Sequence, residues 1–352
     1  MQVDFSILPF SPGSAGKREI KAWYVLKAAL RLEVLPEDPV FSFNKLVQNR
    51  LAFDDIYQCR DWVAWDSSRK IMLGHCIVYT SRTLPNSKTA KFTIDVLKPY
   101  RRTGLGNAFL RLTTEAAEIS GRNLLRAYSN DRCEAGASFF ESIGAMIVLK
   151  SHQNRLQLKG LERGIIQRWL DLPDESAFKI AVKEWRGRIP EEYIQEIADF
   201  YQTVYDAEPQ TEGSEAERYR FTPENVLLGE KKCLAGGRKR IIVYARDVHN
   251  NKLTGLTEIS WSPSRPSILS QGYTAVLPDF RGKGIGKRLK AEMLERIMRE
   301  LPQAELIQAG NDDSNNSILS INTELGFKHF IATTTWQATT ETVKKYLALK
   351  NE

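Results

Sequence analysis

Val276, Pro278, Arg281, Gly284 and Gly286 fall on one short segment, Val276-Leu277-Pro278-Asp279-Phe280-Arg281-Gly282-Lys283-Gly284-Ile285-Gly286-Lys287, which joins a strand-like run to a basic amphipathic helix. Residues of these types at this spacing make an anion cradle. Glycine takes up positive φ and lets the backbone approach a ligand closely, while the first N–H groups of a helix and its dipole favour a phosphate or pyrophosphate. Arg281, Gly282, Lys283, Gly284, Ile285, Gly286 and Lys287 are therefore candidate ligands of a phosphate or pyrophosphate, with Val276 and Leu277 on the strand that leads to it. A near copy stands 180 residues earlier, as Arg101, Arg102, Thr103, Gly104, Leu105 and Gly106.

The elements that must position the cradles repeat with them. Gly74 and Gly255, Gly104 and Gly284, and Gly144 and Gly326 stand 180 to 182 residues apart. A period this long means two domains rather than a solenoid of short units. Around the first cradle the pattern predicts strands over Leu73–Tyr79 and Phe92–Leu97, a helix from about Asn107 to Ser120, a strand Asn123–Ala127 and a short helix ending at Ile143-Gly144. Around the second it predicts strands Leu253–Trp261 and Gly272–Leu277, a helix Lys287–Glu300, a strand Glu305–Gln308 and a helix ending at Leu325-Gly326-Phe327.

The first module is expected over residues 1–160, from a helix Arg18–Leu32 to a last strand Asn154–Leu158. A connecting segment, 161–187, holds an amphipathic helix Leu161–Leu170 and a break at Leu172–Ser176. The second module, 188–352, opens near Ile189-Pro190, and Thr222-Pro223-Glu224-Asn225 is a further helix start. Strands Arg240–Arg246 and Leu253–Trp261 flank the turn Asp247–Asn251. Pro209–Glu217 and Ser262–Ser267 are expected loops. Each module reads as a mixed, largely antiparallel α/β sheet flanked by helices.

Composition narrows the classes. A chain of 352 residues with 42% hydrophobic and 26% charged residues has the makeup of an ordinary globular protein with two cores. No run of about 18 apolar residues suggests a membrane span. Met1–Phe5 lacks the basic start and apolar stretch of a signal peptide, so cytoplasmic residence is expected. Cys59, Cys76, Cys133 and Cys233 lack metal-ligand spacing, which argues against zinc and a disulfide framework. The net charge of +7 favours an anionic partner, yet no basic stripe interleaved with aromatics points to nucleic acid.

The motif V-x-P-x-x-R-x-x-G-x-G, set between strand and helix, repeated, and followed some forty residues later by L-G-F, resembles the GNAT superfamily of N-acetyltransferases in its tandem form. The resemblance spans nearly the whole chain and implies two tandem GNAT-like modules. It implies acetyl-CoA as acyl donor, with its pyrophosphate on the N–H groups of Gly282 to Lys287 and its pantetheine arm along the strand ending at Val276 and Leu277. It extends to Arg101, Arg102, Gly104 and Gly106 in the first module, where one residue fewer separates the proline from the arginine. Asn311, Asn315, Ile318, Asn322, Leu325, Gly326 and Phe327 look like a tandem-family signature, with Asn315 near the cofactor.

Many members of that family place a tyrosine four residues before the late glycine, where its hydroxyl protonates the departing thiolate. Here that position is Asn322, an amide that cannot serve as a general acid. Asn322 either hydrogen-bonds the thioester region or the acceptor, or caps a helix end. Glu258, three residues after Gly255, is placed to act as a base directly or through water; the alternative is a solvent-facing or salt-bridged carboxylate. Tyr273 is a candidate acid or acceptor-pocket residue, or an ordinary strand tyrosine. The first module has Ile77 and Phe140 at the Glu258 and Asn322 positions, so the second is expected to be catalytic. The expectation is an acetyl-CoA-dependent N-acetyltransferase acting on a small-molecule amine by direct attack on the thioester. The alternative is a non-catalytic CoA-binding or scaffold protein; a protein acceptor also fits.

Overall fold

In chain order the elements are β1 (Phe5–Phe10), α1 (Lys17–Val34), α2 (Phe43–Asp54), β2 (Tyr57–Asp66), β3 (Met72–Ser81), β4 (Thr89–Val96), α3 (Leu105–Ile119), β5 (Leu124–Asn130), α4 (Glu134–Ser142) and β6 (Met146–Gln157). They continue with α5 (Arg163–Leu170), β7 (Ile180–Arg186), α6 (Ile194–Asp206), α7 (Pro223–Leu234), β8 (Lys239–Asp247), β9 (Leu253–Ser262), β10 (Arg265–Val276), α8 (Ile285–Glu300), β11 (Leu306–Asp312), α9 (Asn316–Leu325), β12 (Lys328–Thr339) and α10 (Thr340–Leu349). This computed structural model describes residues 4–55, 57–82, 88–171, 180–207, 220–234, 237–312 and 316–350. Asn315, the break at Leu172–Ser176 and the polar loop Pro209–Glu217 lie outside the described residues.

The chain forms two compact units that do not follow its halves. One holds residues 4–150 and takes back 333–350; the other holds 151–207 and 220–332. The reason lies in strand pairing. Residues 151–157, expected to close the first module, pair antiparallel with β11 of the second unit, from Ser151↔Asp312 to Gln157↔Leu306. Residues 333–339 of β12 pair with β5 of the first, from Thr333↔Asn130 to Thr339↔Leu124.

In unit 1, β1, β2, β3 and β4 are antiparallel neighbours, and β4 runs parallel to β5 only over Thr89–Lys91 with Leu124–Arg126. In unit 2, β7, β8, β9 and β10 are antiparallel neighbours, and β10 runs parallel to β11 only over Ile268–Gln271 with Leu306–Ala309. In both units a strand thus parts from its parallel neighbour and runs on, paired on its other side only, toward a cradle.

The repeated glycines have a packing cause. A Cβ on Gly255 would stand 3.0 Å from the Ala275 carbonyl and 3.1 Å from Leu289 of α8, and one on Gly74 would meet Phe109 of α3 at 3.0 Å. Only glycine lets each helix lie this close to the sheet. Ile285, Leu289, Leu294 and Ile297 then bury one face of α8 in the unit 2 core, each contributing about 1.5–3 kcal/mol. Ser262–Ser267, expected as a loop, is instead a tight hairpin that closes at Arg265↔Ser262 and carries β10 to Arg265.

Candidate functional site

The cradle of unit 2 forms as its residues require. Gly282 and Gly284 have φ of 75° and 77°, and Gly284 caps the N-terminus of α8. A Cβ at either position would meet open space, so φ rather than crowding demands glycine, and the surface beside them is clear for a ligand. The N–H groups of Ile285, Gly286 and Lys287, at the start of α8, have no acceptor inside the helix. The charged side chains around them are turned to other work. Arg281 donates from Nε to the Val276 carbonyl at 3.2 Å, and Lys283 donates to the Asp279 carbonyl at 2.9 Å. Lys287 pairs with Glu324 at 2.6 Å and lies over the Trp169 ring. The anion-binding capacity is therefore mainly that of the main chain, with Val276 and Leu277 leading into it, and Leu277 N–H tied to the Thr254 carbonyl at 2.9 Å.

The cradle of unit 1 has the same backbone, with Gly104 at φ 89° and Arg102, a non-glycine, at φ 64°. Arg101 also donates to its strand carbonyl, Val96, and makes a bidentate pair with Glu33 of α1 at 2.7 and 2.8 Å. Gly106 is packed against Phe139. Below the parted strands, Phe92, Phe140 and Trp336 fill the space, with Phe140 stacked on Trp336 at 5.7 Å and only a small apolar cavity left among them.

Unit 2 differs from unit 1 at the point where the strands part. Register runs Gln271↔Ile259 and then Thr274↔Thr257, so Gly272 and Tyr273 together oppose Glu258 in a β-bulge. In unit 1 the pairing from Lys91 to Val96 is unbroken. The bulge aims the Glu258 carboxylate across Gly272, where a Cβ would overlap it, and its Oε1 accepts the Tyr273 N–H at 3.2 Å. Gly272 is a position at this bulge that sequence reading did not single out; the signal was a glycine inside a strand, which often marks a bulge.

Burial pushes the Glu258 carboxyl above its ordinary range, against the opposing pull of Arg240 and of the Tyr273 N–H. Arg240 stands 3.9 Å from Oε2 and is itself held by Glu230 at 2.6 Å and the Gly187 carbonyl at 2.9 Å. Its charge is thus largely engaged elsewhere. Beside Glu258, Tyr273 is 48% exposed and packs on Tyr201 of α6 at 4.9 Å, with Phe221 5.4 Å from Tyr201. Burial, with Glu258 next, raises the Tyr201 hydroxyl well above its usual value, so it stays protonated.

Asn322 does not cap a helix with its side chain. The end of α9 closes through the backbone, with Phe327 N–H on the Asn322 carbonyl at 3.0 Å, Gly326 N–H on Thr323 at 2.9 Å, and Gly326 at φ 90°. The side chain is 2% exposed, donates to Asn311 at 2.9 Å, and leaves its Oδ1 buried without a partner. Helix α8 contributes a residue that sequence reading passed over: Lys290, 3% exposed, hydrogen-bonded to Gln271 at 3.3 Å.

Two α/β units, each with strands that part above a helix begun at a left-handed glycine, define a tandem acyltransferase-type fold. Residues 194–327 match the model of the acetyltransferase (GNAT) family. Residues 194–327 thus carry a match to the GNAT acetyltransferase family, and the chain as a whole has a tandem GNAT fold. Over 96% of its length it shares the fold of a tandem GNAT protein from the clavulanic acid biosynthesis pathway, solved without AcCoA, with a TM-score of 0.76, 20% identity and 99% of that chain covered. A GCN5-related N-acetyltransferase from Sphaerobacter thermophilus matches 96% of each chain at a TM-score of 0.68 and 12% identity. No curated protein matches the sequence. Among the described residues no helix is long and apolar enough to cross a membrane.

Proposed function

We propose that the chain is an acetyl-CoA-dependent N-acetyltransferase that acts on an amine of a small molecule, with unit 2 carrying the chemistry. The observation that supports this reading most is the Glu258 carboxylate, held on a bulge where β10 leaves β11 and shifted by burial toward the pH range in which a base works. Bound there, the donor supplies an activated acyl group. The main-chain N–H groups of Gly282 to Lys287 hold its diphosphate, and the edge of β10 from Gly272 to Val276, free of β11, offers amide partners to its arm.

Glu258 takes the proton from the acceptor nitrogen, directly or through one water. Tyr273, Tyr201 and Phe221 form an aromatic wall beside that carboxylate, which suits an organic ammonium better than an anion. Asn322, with an unpaired buried oxygen, is a positioning residue. A cytoplasmic location accords with four cysteines that are all free. Incubation with acetyl-CoA and a panel of primary amines, followed by titration of released thiol, tests the reading. Thiol release that depends on the amine and is lost in Glu258→Gln supports it. CoA binding without thiol release for any amine supports a non-catalytic CoA-binding protein instead.

A further inference from the structure

Three positions that are apolar in unit 1 are polar in unit 2, and all three border the place where the strands part. Phe92 pairs with Val78 in unit 1, and its counterpart by register is Gln271, which pairs with Ile259. Leu110, the sixth residue of α3, is fully buried; the sixth residue of α8 is Lys290. Phe140 stands four residues before Gly144 and Asn322 four before Gly326. In unit 1 the two phenylalanines are in contact at 6.0 Å and close the space. An apolar trio is the stable choice for a core, so a lysine in its place needs a partner or a task.

Lys290 has no ion-pair partner among the described residues. Its Nζ bonds to Gln271 Oε1 and lies 5.4 Å from the centre of the Phe327 ring. Gln271 donates in turn to Thr257 Oγ1 at 3.0 Å and to the Glu258 carbonyl at 2.7 Å, and Thr257 bonds Thr274 at 2.8 Å. Gln271 is the last residue of β10 paired with β11, so the Lys290 ammonium sits beneath the apex of the opening. The groups that face it from β9 and β10, namely Thr257, Thr274 and Gln271, do not titrate. Along α8, Lys287 is paired with Glu324, and Arg288 and Arg296 are paired with Glu292. Glu258 is adjacent to Thr257 on β9 and points to the other side of the sheet.

We propose that Lys290 is the proton donor to the departing CoA thiolate, the task for which Asn322 has no proton to give. The inference rests on the acyl-transfer reading of the same site. As the acceptor nitrogen forms its bond to the acyl carbon and the carbon–sulfur bond breaks, the electron pair of that bond goes to sulfur. Lys290 gives sulfur one proton and becomes a neutral amine, and Glu258 takes one proton from nitrogen. Exchange with solvent then returns a proton to Lys290 and removes one from Glu258, so the balance closes without another reactant. Burial lowers the Lys290 ammonium to about 7, which makes it a competent acid at neutral pH.

The test uses CoA itself and reads the ultraviolet absorbance of its thiolate against pH, free, bound to the wild-type protein, and bound to Lys290→Met and Lys290→Arg, with affinity followed by calorimetry. While Lys290 is charged, up to about pH 7, an ammonium beside the sulfur makes bound CoA ionise at least tenfold more readily than free CoA, and the difference fades as Lys290 becomes neutral above that pH. Lys290→Met is expected to abolish that difference with CoA affinity at pH 7 nearly unchanged, and Lys290→Arg, which stays charged, to carry it on into the alkaline range. Bound CoA that ionises like free CoA at pH 7 and below on the wild-type protein overturns the role of Lys290 whether or not either variant folds, and so does a shift that survives in Lys290→Met. Wild-type protein that binds no CoA overturns the acyl-transfer reading, and the role of Lys290 with it.

Discussion

Lys290→Met is expected to stabilise unit 2 by an amount that depends on pH. In the unfolded chain the ammonium ionises near 10.5, and in the folded chain burial brings it to about 7. Between those values the unfolded chain binds more protons than the folded one, so stability rises with pH across that window. Below about 7 the full penalty of the buried charge is present; above 10.5 it has gone. Linkage over this interval gives a penalty of about 4 kcal/mol at pH 7 and about 1.5 kcal/mol at pH 9.5. Methionine carries no charge, and the benefit of its apolar atoms is the same at both pH values. Urea unfolding of wild type and variant at pH 7 and 9.5 should therefore show a stability gap that narrows by roughly 2–3 kcal/mol as pH rises. A gap of equal size at both values would mean that Lys290 ionises as an ordinary lysine and that its burial is relieved in solution.

Glu258→Gln should lower turnover by roughly 10²–10⁴-fold with CoA affinity nearly unchanged, and because the carboxyl is raised, the wild-type rate should climb as pH rises through a value above the ordinary carboxylate range, a limb absent from the variant's pH–rate profile. Gly272→Ala places a methyl group where the Glu258 carboxylate lies, so turnover should fall toward that of Glu258→Gln while calorimetry still reports CoA binding. Gly284→Val forces a β-branched residue to a φ of 77° at the start of α8 and should weaken CoA binding at least tenfold by the same measurement. Calorimetric titration should give one CoA per chain, since Phe92, Phe140 and Trp336 occupy the slot of unit 1; two equivalent sites would contradict that assignment.

The cradle, its helix and the glycine periodicity were legible because each depends on a local rule: positive φ, a helix start, or close packing of a helix on a strand. The strand exchange that gives residues 151–157 to one unit and 333–350 to the other was not, because pairing partners far apart in sequence leave no periodic mark. Lys290 was hidden for a related reason. In a helix as charged as Ile285–Glu300, a lysine reads as part of the solvated face, and only the burial of its counterpart Leu110 reveals the buried side. The hairpin at Ser262–Arg265 replaces an expected loop: Pro263 sits in its turn and Pro266 at the second residue of β10, where a strand tolerates proline.

The two units also separate what the motif does for folding from what it does for chemistry. In both, the arginine of the cradle donates from Nε to the carbonyl of the strand it follows, at 3.1 Å for Arg101 and 3.2 Å for Arg281, and a left-handed glycine opens the helix. Both also end their late helix with the same pair of backbone bonds, Ala145 N–H on Phe140 and Gly144 N–H on Glu141 in unit 1. These features hold a strand, turn and helix together whether or not a ligand is present, so a complete cradle does not by itself establish function. What distinguishes unit 2 is a bulge that redirects one carboxylate, and the replacement of Phe92, Leu110 and Phe140 by Gln271, Lys290 and Asn322. A polar trio of that kind costs core stability, and an aromatic plug such as that of unit 1 gains it. If that exchange is the functional difference, transplanting the plug as Gln271→Phe, Lys290→Leu and Asn322→Phe should give a more stable unit 2 that no longer binds CoA in calorimetry, with its cradle sequence untouched. Retained CoA affinity in the triple variant would show that the cradle alone governs binding and that the polar trio has another purpose.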